Sequence, residues 1–162
     1  MRNAHIIPTK IYTLPALLQQ VSKWRTEEKT ISFTNGCFDI LHDGHIASLS
    51  QAANEGDYLI VGLNSDNSVK SIKGPSRPIN NEQTRALLLA SLLMVDAVVL
   101  FEEDTPLELV KSIMPDVMVK GGDYTVEQIE GSAEVIANGG RVVINPIVPG
   151  YSTTSIIAKM KQ

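Results

Sequence analysis

Cysteine, aromatic side chains and basic runs are scarce in this chain, and each shortage removes a class of function. Cys37 is the one cysteine among 162 residues, so no internal disulfide can form, and nothing points to an oxidising compartment. Aromatic residues make up 5%, too few for the stacking platforms that hold single-stranded nucleic acid. The net charge is −4 and the isoelectric point about 5.3, with no basic run. An acidic chain of this kind is not a general binder of nucleic acid, and any anion site must be local. The longest apolar-rich stretch, residues 86–100, is broken by Ser91 and Asp96 and is too short to span a membrane. Residues 1–10 show no long apolar run and no small-residue cleavage site, so no secretory leader is expected. The expected location is the cytoplasm.

What is present is enough for a core. The chain is 43% hydrophobic, and one domain of this length buries roughly 70% of its unfolded surface. Leu14, Leu17, Leu18, Val21 and Trp24 recur at helical spacing and predict a helix over 14–28. A strand at 31–34 ends at Asn35-Gly36, and Ile46, Leu49 and Ala53 mark one face of a helix over 45–55. Residues 58–63 read as a buried strand. The polar, two-proline stretch 64–80 reads mainly as a loop. Asn80 with Gln83 resembles a capping box for a helix over 81–94. A strand follows at 97–101, then a helix capped by Thr105 and beginning at Pro106. Strands at 117–119 and 141–144 flank a helix over 132–137, and a last helix begins near Ser152. This alternation predicts an α/β fold, a doubly wound, Rossmann-like parallel sheet. Residues 1–12 are expected as a loose arm and 13–162 as one domain.

In such sheets ligands bind beyond the carboxyl ends of the strands, which points to residues 35–44, 64–80, 120–124 and 145–154. The first of these contains His42-Asp43-Gly44-His45 where a helix starts. Free amides and the positive dipole end of a helix suit phosphate, and Gly44 lets an anion approach the backbone. Two imidazoles there could hold a pentacoordinate phosphorus. Zinc is not expected, because only His5 and Cys37 remain as further soft ligands. Arg85, on a very apolar helix, reads as structural, and Cys37 reads as a small filler beneath the loop. Asp66 and Asp96 could each serve a turn.

The His42-Asp43-Gly44-His45 run resembles the HxGH motif of the nucleotidyltransferase superfamily, related to class I aminoacyl-tRNA synthetases. Asn35-Gly36-Cys37-Phe38-Asp39-Ile40-Leu41-His42, Gly62-Leu63-Asn64-Ser65-Asp66, Lys73-Gly74-Pro75-Ser76-Arg77-Pro78 and Phe101-Glu102-Glu103-Asp104-Thr105-Pro106 are similar to the heptose 1-phosphate adenylyltransferase module. So are Val119-Lys120-Gly121-Gly122-Asp123-Tyr124 and Gly150-Tyr151-Ser152-Thr153-Thr154. The similarity runs from about Leu14 to the end of the chain.

The resemblance implies transfer of the adenylyl group of ATP to a heptose 1-phosphate, with release of pyrophosphate, in the making of bacterial surface polysaccharide. It implies catalytic roles for His42, His45 and Lys73. It implies nucleotide contacts from Asn35, Gly36, Phe38, Asp39, Gly44, Lys120, Gly121, Gly122, Asp123, Ser152, Thr153 and Thr154. Asp66, Lys70 and Arg77 belong on the sugar-phosphate side. Three positions after the last threonine, where the superfamily often has a cation, stands Ile157, and the next cation is Lys159. No protein metal site is expected, and Mg²⁺ would be held mainly by the nucleotide phosphates. Many family members carry this module behind a ribokinase-type sugar kinase, which these residues do not include, so a separate heptose kinase is implied. A homodimer is expected from the surplus of apolar residues over 81–94. No nucleic-acid or membrane partner is expected. Cytidylyl transfer to an alcohol phosphate such as glycerol 3-phosphate, and a non-catalytic nucleotide-binding module, are the alternative readings.

Overall fold

The computed structural model describes residues 3–146, 149–150 and 152–160. Residues Met1 and Arg2 of the expected arm, Ile147 and Val148 of the expected site loop, and Tyr151 of the last motif lie outside them. Elements run in the order α1 Ile6–Thr9, β1 Ile11–Tyr12, α2 Leu14–Thr26, β2 Ile31–Gly36, α3 Asp43–Ala53, β3 Tyr58–Asn64 and α4 Asp66–Lys73. They continue with α5 Glu82–Ala90, β4 Ala97–Phe101, α6 Leu107–Ile113, β5 Val117–Gly121, α7 Ser132–Ala137, β6 Arg141–Asn145 and α8 Thr153–Met160. Among the described residues the six strands form one all-parallel sheet in the order β1-β4-β3-β2-β5-β6. No described helix is long and apolar enough to cross a membrane.

The sheet's two faces are read directly from alternation along the strands. Phe33, Ile60, Val99 and Met118 pack with α2, α6 and α7 on one face. Leu59, Val61, Val98 and Val119 pack with α3 and α5 on the other. On α2, Leu17, Val21 and Trp24 are 0%, 2% and 6% exposed, the stripe that the spacing predicts. The Trp24 indole stacks on Tyr58 with ring centroids 4.2 Å apart. Central β3 is covered on both faces, so its sequence reads as a continuous apolar run. A Cβ at Gly62 would come within 2.9 Å of the Phe33 ring, so this strand position has room only for glycine.

Five expectations change on contact with the fold. Residues 64–80 are not mainly loop. Asp66–Lys73 is helical, with the Ser65 hydroxyl accepting the Ser68 amide at its start and two lysines in its last turn, where the helix dipole favours cations. Too few apolar residues occur there to reveal a helical period. The cap of α5 is Asn81, whose side-chain oxygen accepts the Thr84 amide at 2.8 Å. Asn80 is instead bound to Asp39. α5 also ends at Ala90, not Met94, where Lys10 donates to the Val95 carbonyl at 2.7 Å. α6 starts at Leu107 with no side-chain cap. Finally, Ile11–Tyr12 is not loose: it pairs in parallel with Val98–Val99 at the sheet edge.

The capping assignment predicts that Asn81→Ala lowers the unfolding free energy by about 1 kcal/mol, the usual worth of such a cap. Urea denaturation followed by far-ultraviolet circular dichroism checks it, and an unchanged midpoint would contradict the assignment.

Candidate active site

The chain winds β2, β3 and β4 outwards in one direction, then returns to place β5 on the other side of β2. Loops leaving β2 and β5 therefore diverge to opposite faces, and a crevice opens between them. A cavity of about 620 Å³ occupies that position. It is lined by the ends of β2 and β5 and by residues from α4, α8 and the segments following β4 and β5.

β2 ends at Gly36, and the backbone turns sharply at Phe38, whose φ is +45°, a conformation that a non-glycine side chain adopts only when its surroundings enforce it. The turn buries the Phe38 ring, 9% exposed, 5.1 Å from the ring of His45. His42 is the N-cap of α3 in extended conformation. Its carbonyl accepts the amides of His45 and Ile46 at 2.9 and 3.2 Å, and the two imidazoles stack with centroids 3.8 Å apart. Burial pushes the His42 pKa down, opposed by Asp43. Burial, with the neighbouring His42, pushes His45 down to about 4, opposed by a hydrogen bond to the Ile40 backbone. Two neutral, closely stacked rings at a helix N-terminus form a site whose first added charge is best a ligand anion.

Cations gather around the end of β2. The Cys37 thiol lies within electrostatic range of Lys73, Arg85, Arg77 and Lys120, yet burial dominates and raises its pKa. A thiol held protonated is no nucleophile. Burial lowers the Lys120 pKa, aided by Lys73 and opposed by Cys37. The loop after α4 is anchored by Asp39, 1% exposed. Its carboxylate accepts from Arg77 Nε at 2.7 Å and from the amides of Ile79 and Asn80 at 2.8 and 2.9 Å. Burial alone would raise the Asp39 pKa, but the Asn80, Ile79 and Arg77 donors carry it below the ordinary carboxylate value. α8 closes the cavity: Ser152 Oγ accepts the Ser155 amide at 3.0 Å, and Thr153 Oγ1 donates to the Ile40 carbonyl at 3.4 Å.

The cavity brings together Asn35, Gly36, Phe38, Asp39, His42, His45, Lys73, Arg77, Lys120, Ser152, Thr153 and Thr154. Other expected residues lie beside it. Gly44 occupies the first turn of α3. Gly121 ends β5, and Gly122 and Asp123 begin the turn after it, where Gly122 donates to the Asn145 carbonyl at 3.0 Å. With φ at +135°, a Cβ on Gly122 would strike the Tyr124 ring at 2.6 Å, so this turn presents Tyr124 to the cavity. Lys70 is exposed, one turn before Lys73 on α4.

Asp66 is placed differently from its expected substrate role, because Arg85 Nη2 donates to its carboxylate at 2.8 Å. Sequence reasoning missed Ile72, Asp104, Thr105, Pro106, Gln128, Ile129 and Glu130, which also line the cavity. The rule that strand carboxyl ends carry the site would have included the segment after β4 had it been applied to every strand.

The strand order, the crevice at β2 and β5 and the paired histidines define a Rossmann-like nucleotidyltransferase. The chain belongs to the cytidylyltransferase-like family, whose model matches residues 33–159. It is 57% identical over 146 residues to a bifunctional protein HldE of Hyphomonas neptunium, covering 90% of this chain and 30% of that protein. It is 53% identical over 151 residues to the protein of the same name from Methylobacillus flagellatus, covering 93% and 31%. The chain thus spans about three-tenths of the length of these relatives. A crystal structure of a lipopolysaccharide core biosynthesis protein from Thermoplasma volcanium superposes with a TM-score of 0.60 at 31% identity, covering 74% of this chain and 97% of that one. A pantoate-beta-alanine ligase from Francisella tularensis shares the fold, with a TM-score of 0.53 at 17% identity, covering 89% and 75%.

His45 titrates at an ordinary 6.5 when exposed and at about 4 in the fold. Between these values the unfolded chain binds the proton more readily, so stability falls as pH drops from 6.5 towards 4. The urea midpoint should decline across that window, and His45→Asn should flatten the decline. An identical profile in the variant would assign the pH dependence to other groups.

Proposed function

We propose that this domain transfers the adenylyl group of ATP to a heptose 1-phosphate, giving ADP-heptose and pyrophosphate for bacterial surface polysaccharide, in the cytoplasm. The observation that carries the reading is the stacked pair His42 and His45 at the N-terminus of α3, faced by Lys73, Arg77 and Lys120 across one cavity. The names and identities of the bifunctional relatives and of the lipopolysaccharide core biosynthesis protein support the choice of acceptor.

In this mechanism an oxygen of the sugar phosphate attacks the α-phosphorus in line. The new P–O bond forms as the bond to the β-phosphate bridging oxygen breaks, and its electron pair leaves with pyrophosphate. The nucleophile is already anionic, so no strong general base is required, and catalysis is positioning with charge neutralisation. His42 and His45 contact the phosphates that gain charge. Lys73 and Arg77 hold the acceptor phosphate, and the α8 N-terminus with Ser152, Thr153 and Thr154 takes the outer phosphates of ATP. Mg²⁺ held by the nucleotide phosphates would supply further charge neutralisation. A sugar kinase reaction must supply the heptose 1-phosphate, as the module's resemblance implies.

His42→Ala or His45→Ala should lower kcat by about 10²–10³ with a much smaller change in the KM for ATP. Pyrophosphate release with ATP and heptose 1-phosphate measures it, and near-normal turnover in either variant would refute the catalytic assignment.

The homodimer is proposed on the outer side of α5 and the segment after it. Leu87, Leu88 and Leu93 are 47%, 42% and 96% exposed there, more apolar surface than a helix on this sheet needs. Light scattering across a micromolar dilution series should find a dimer that Leu88→Glu with Leu93→Glu dissociates. A monomer throughout would remove the proposal.

A further inference from the structure

The cavity has two ends of opposite chemistry, on opposite faces of the sheet. His42, His45 and the start of α8 lie at the end continuous with the α3 and α5 face, where Thr153 is tied to Ile40. The segment after β4, with Asp104 and Pro106, and the segment before α7, with Gln128 and Glu130, reach the cavity from the α6 and α7 face. Packing under α6 brings these two segments together. The Pro106 carbonyl accepts the Val110 amide at 2.8 Å, and Val110 packs so closely on Gly131 that a Cβ there would lie 3.0 Å from it.

We propose that Asp104 and Glu130 form a hydroxyl-recognition subsite for the acceptor sugar and set its specificity. This rests on the sugar-phosphate reading above. A carboxylate can only accept hydrogen bonds and repels phosphate, so this end of the cavity suits a part of the ligand rich in O–H donors and free of phosphoryl oxygens. Among the described residues neither carboxylate takes part in an ion pair or a side-chain hydrogen bond within the protein, so both are available to a ligand. Gln128 gives its oxygen to the Thr125 amide at 2.9 Å, which leaves its N–H groups to donate towards hydroxyl oxygens. Ile129, 5% exposed, and Pro106 supply the apolar wall against which the C–H face of a pyranose packs. Lys73 and Arg77 line the same cavity and are the cations suited to the single phosphate of the acceptor.

The test uses the full 162-residue chain with Asp104→Asn and Glu130→Gln, assayed by pyrophosphate release with ATP against two acceptors. These are heptose 1-phosphate and mannose 1-phosphate, which lacks the seventh carbon and its hydroxyl. Each variant should raise the KM for heptose 1-phosphate about tenfold, the scale of a lost hydrogen bond to a charged group. The KM for ATP should stay within about twofold, which also reports an intact fold. At least one variant should lose most of the preference for heptose over mannose. Wild-type turnover with unchanged sugar KM in both variants overturns the subsite alone. A loss that falls on ATP instead places the carboxylates on the nucleotide and also overturns it. A wild type that uses no sugar 1-phosphate removes the underlying reading and the subsite with it.

Discussion

The site depends on one buried guanidinium. Arg85 is 0% exposed, and its nitrogens donate to the carbonyls of Cys37, Asn64 and Asn80 at 2.7, 2.8 and 3.0 Å and to the Asp66 carboxylate at 2.8 Å. Stripping water from such a cation costs several kcal/mol, and the burial is tolerable only because every side of its rigid fork meets an acceptor. Those acceptors lie at the end of β2, the end of β3, the entrance to α5 and the start of α4. One side chain therefore fixes the relative positions of four segments. Asp39 completes the frame from the other side through Arg77 and the Ile79 and Asn80 amides. The result is that Lys73 and Arg77 are carried on a braced scaffold, as electrostatic preorganisation demands.

That bracing has a cost in repulsion. Lys73, Arg77 and Lys120 converge near Cys37, and burial with the charge of Lys73 already lowers the Lys120 pKa. An anionic ligand relieves this strain, so occupancy by ATP or a sugar phosphate stabilises the fold as well as filling the site. The neutral histidines fit the same logic: lining the same cavity as the cations, as unprotonated rings they add hydrogen-bonding capacity to the anion site without adding charge to the empty protein.

Most of the architecture was legible in the sequence because it rests on periodicity. β4 and α7 have the bounds that pattern alone assigns, and the strand ends differ by one or two residues. The failures share a cause. α4 holds too few apolar side chains to declare a period, and what makes it helical is a serine cap and two lysines at its end. The cap of α5 moved by one residue because Asn80 is claimed by Asp39, a long-range contact that no local motif encodes. Ile11–Tyr12 is too short to recognise as a strand until β4 stands beside it. At the site, the motif residues at the ends of β2 and α8 could be named from the sequence, since glycine, histidine and hydroxyl spacings are local. Asp104 follows β4 and was within reach of the strand-end rule, but Gln128 and Glu130 were not, because packing of α6 against Gly131 is what brings their segment to the cavity. Asp66 reads as a ligand group until Arg85 is seen to occupy it.

The two-residue strand β1 has a consequence out of proportion to its length. Its pairing with Val98 and Val99 shields the outer border of β4, a strand of Ala, Val, Val, Leu and Phe with no charge of its own. Without those few residues, that border would offer unsatisfied backbone donors and acceptors beside β-branched side chains, a template on which a second chain could add its own strand. The amino-terminal segment thus guards the β4 edge against strand addition, and a truncated chain starting at α2 would trade solubility for brevity.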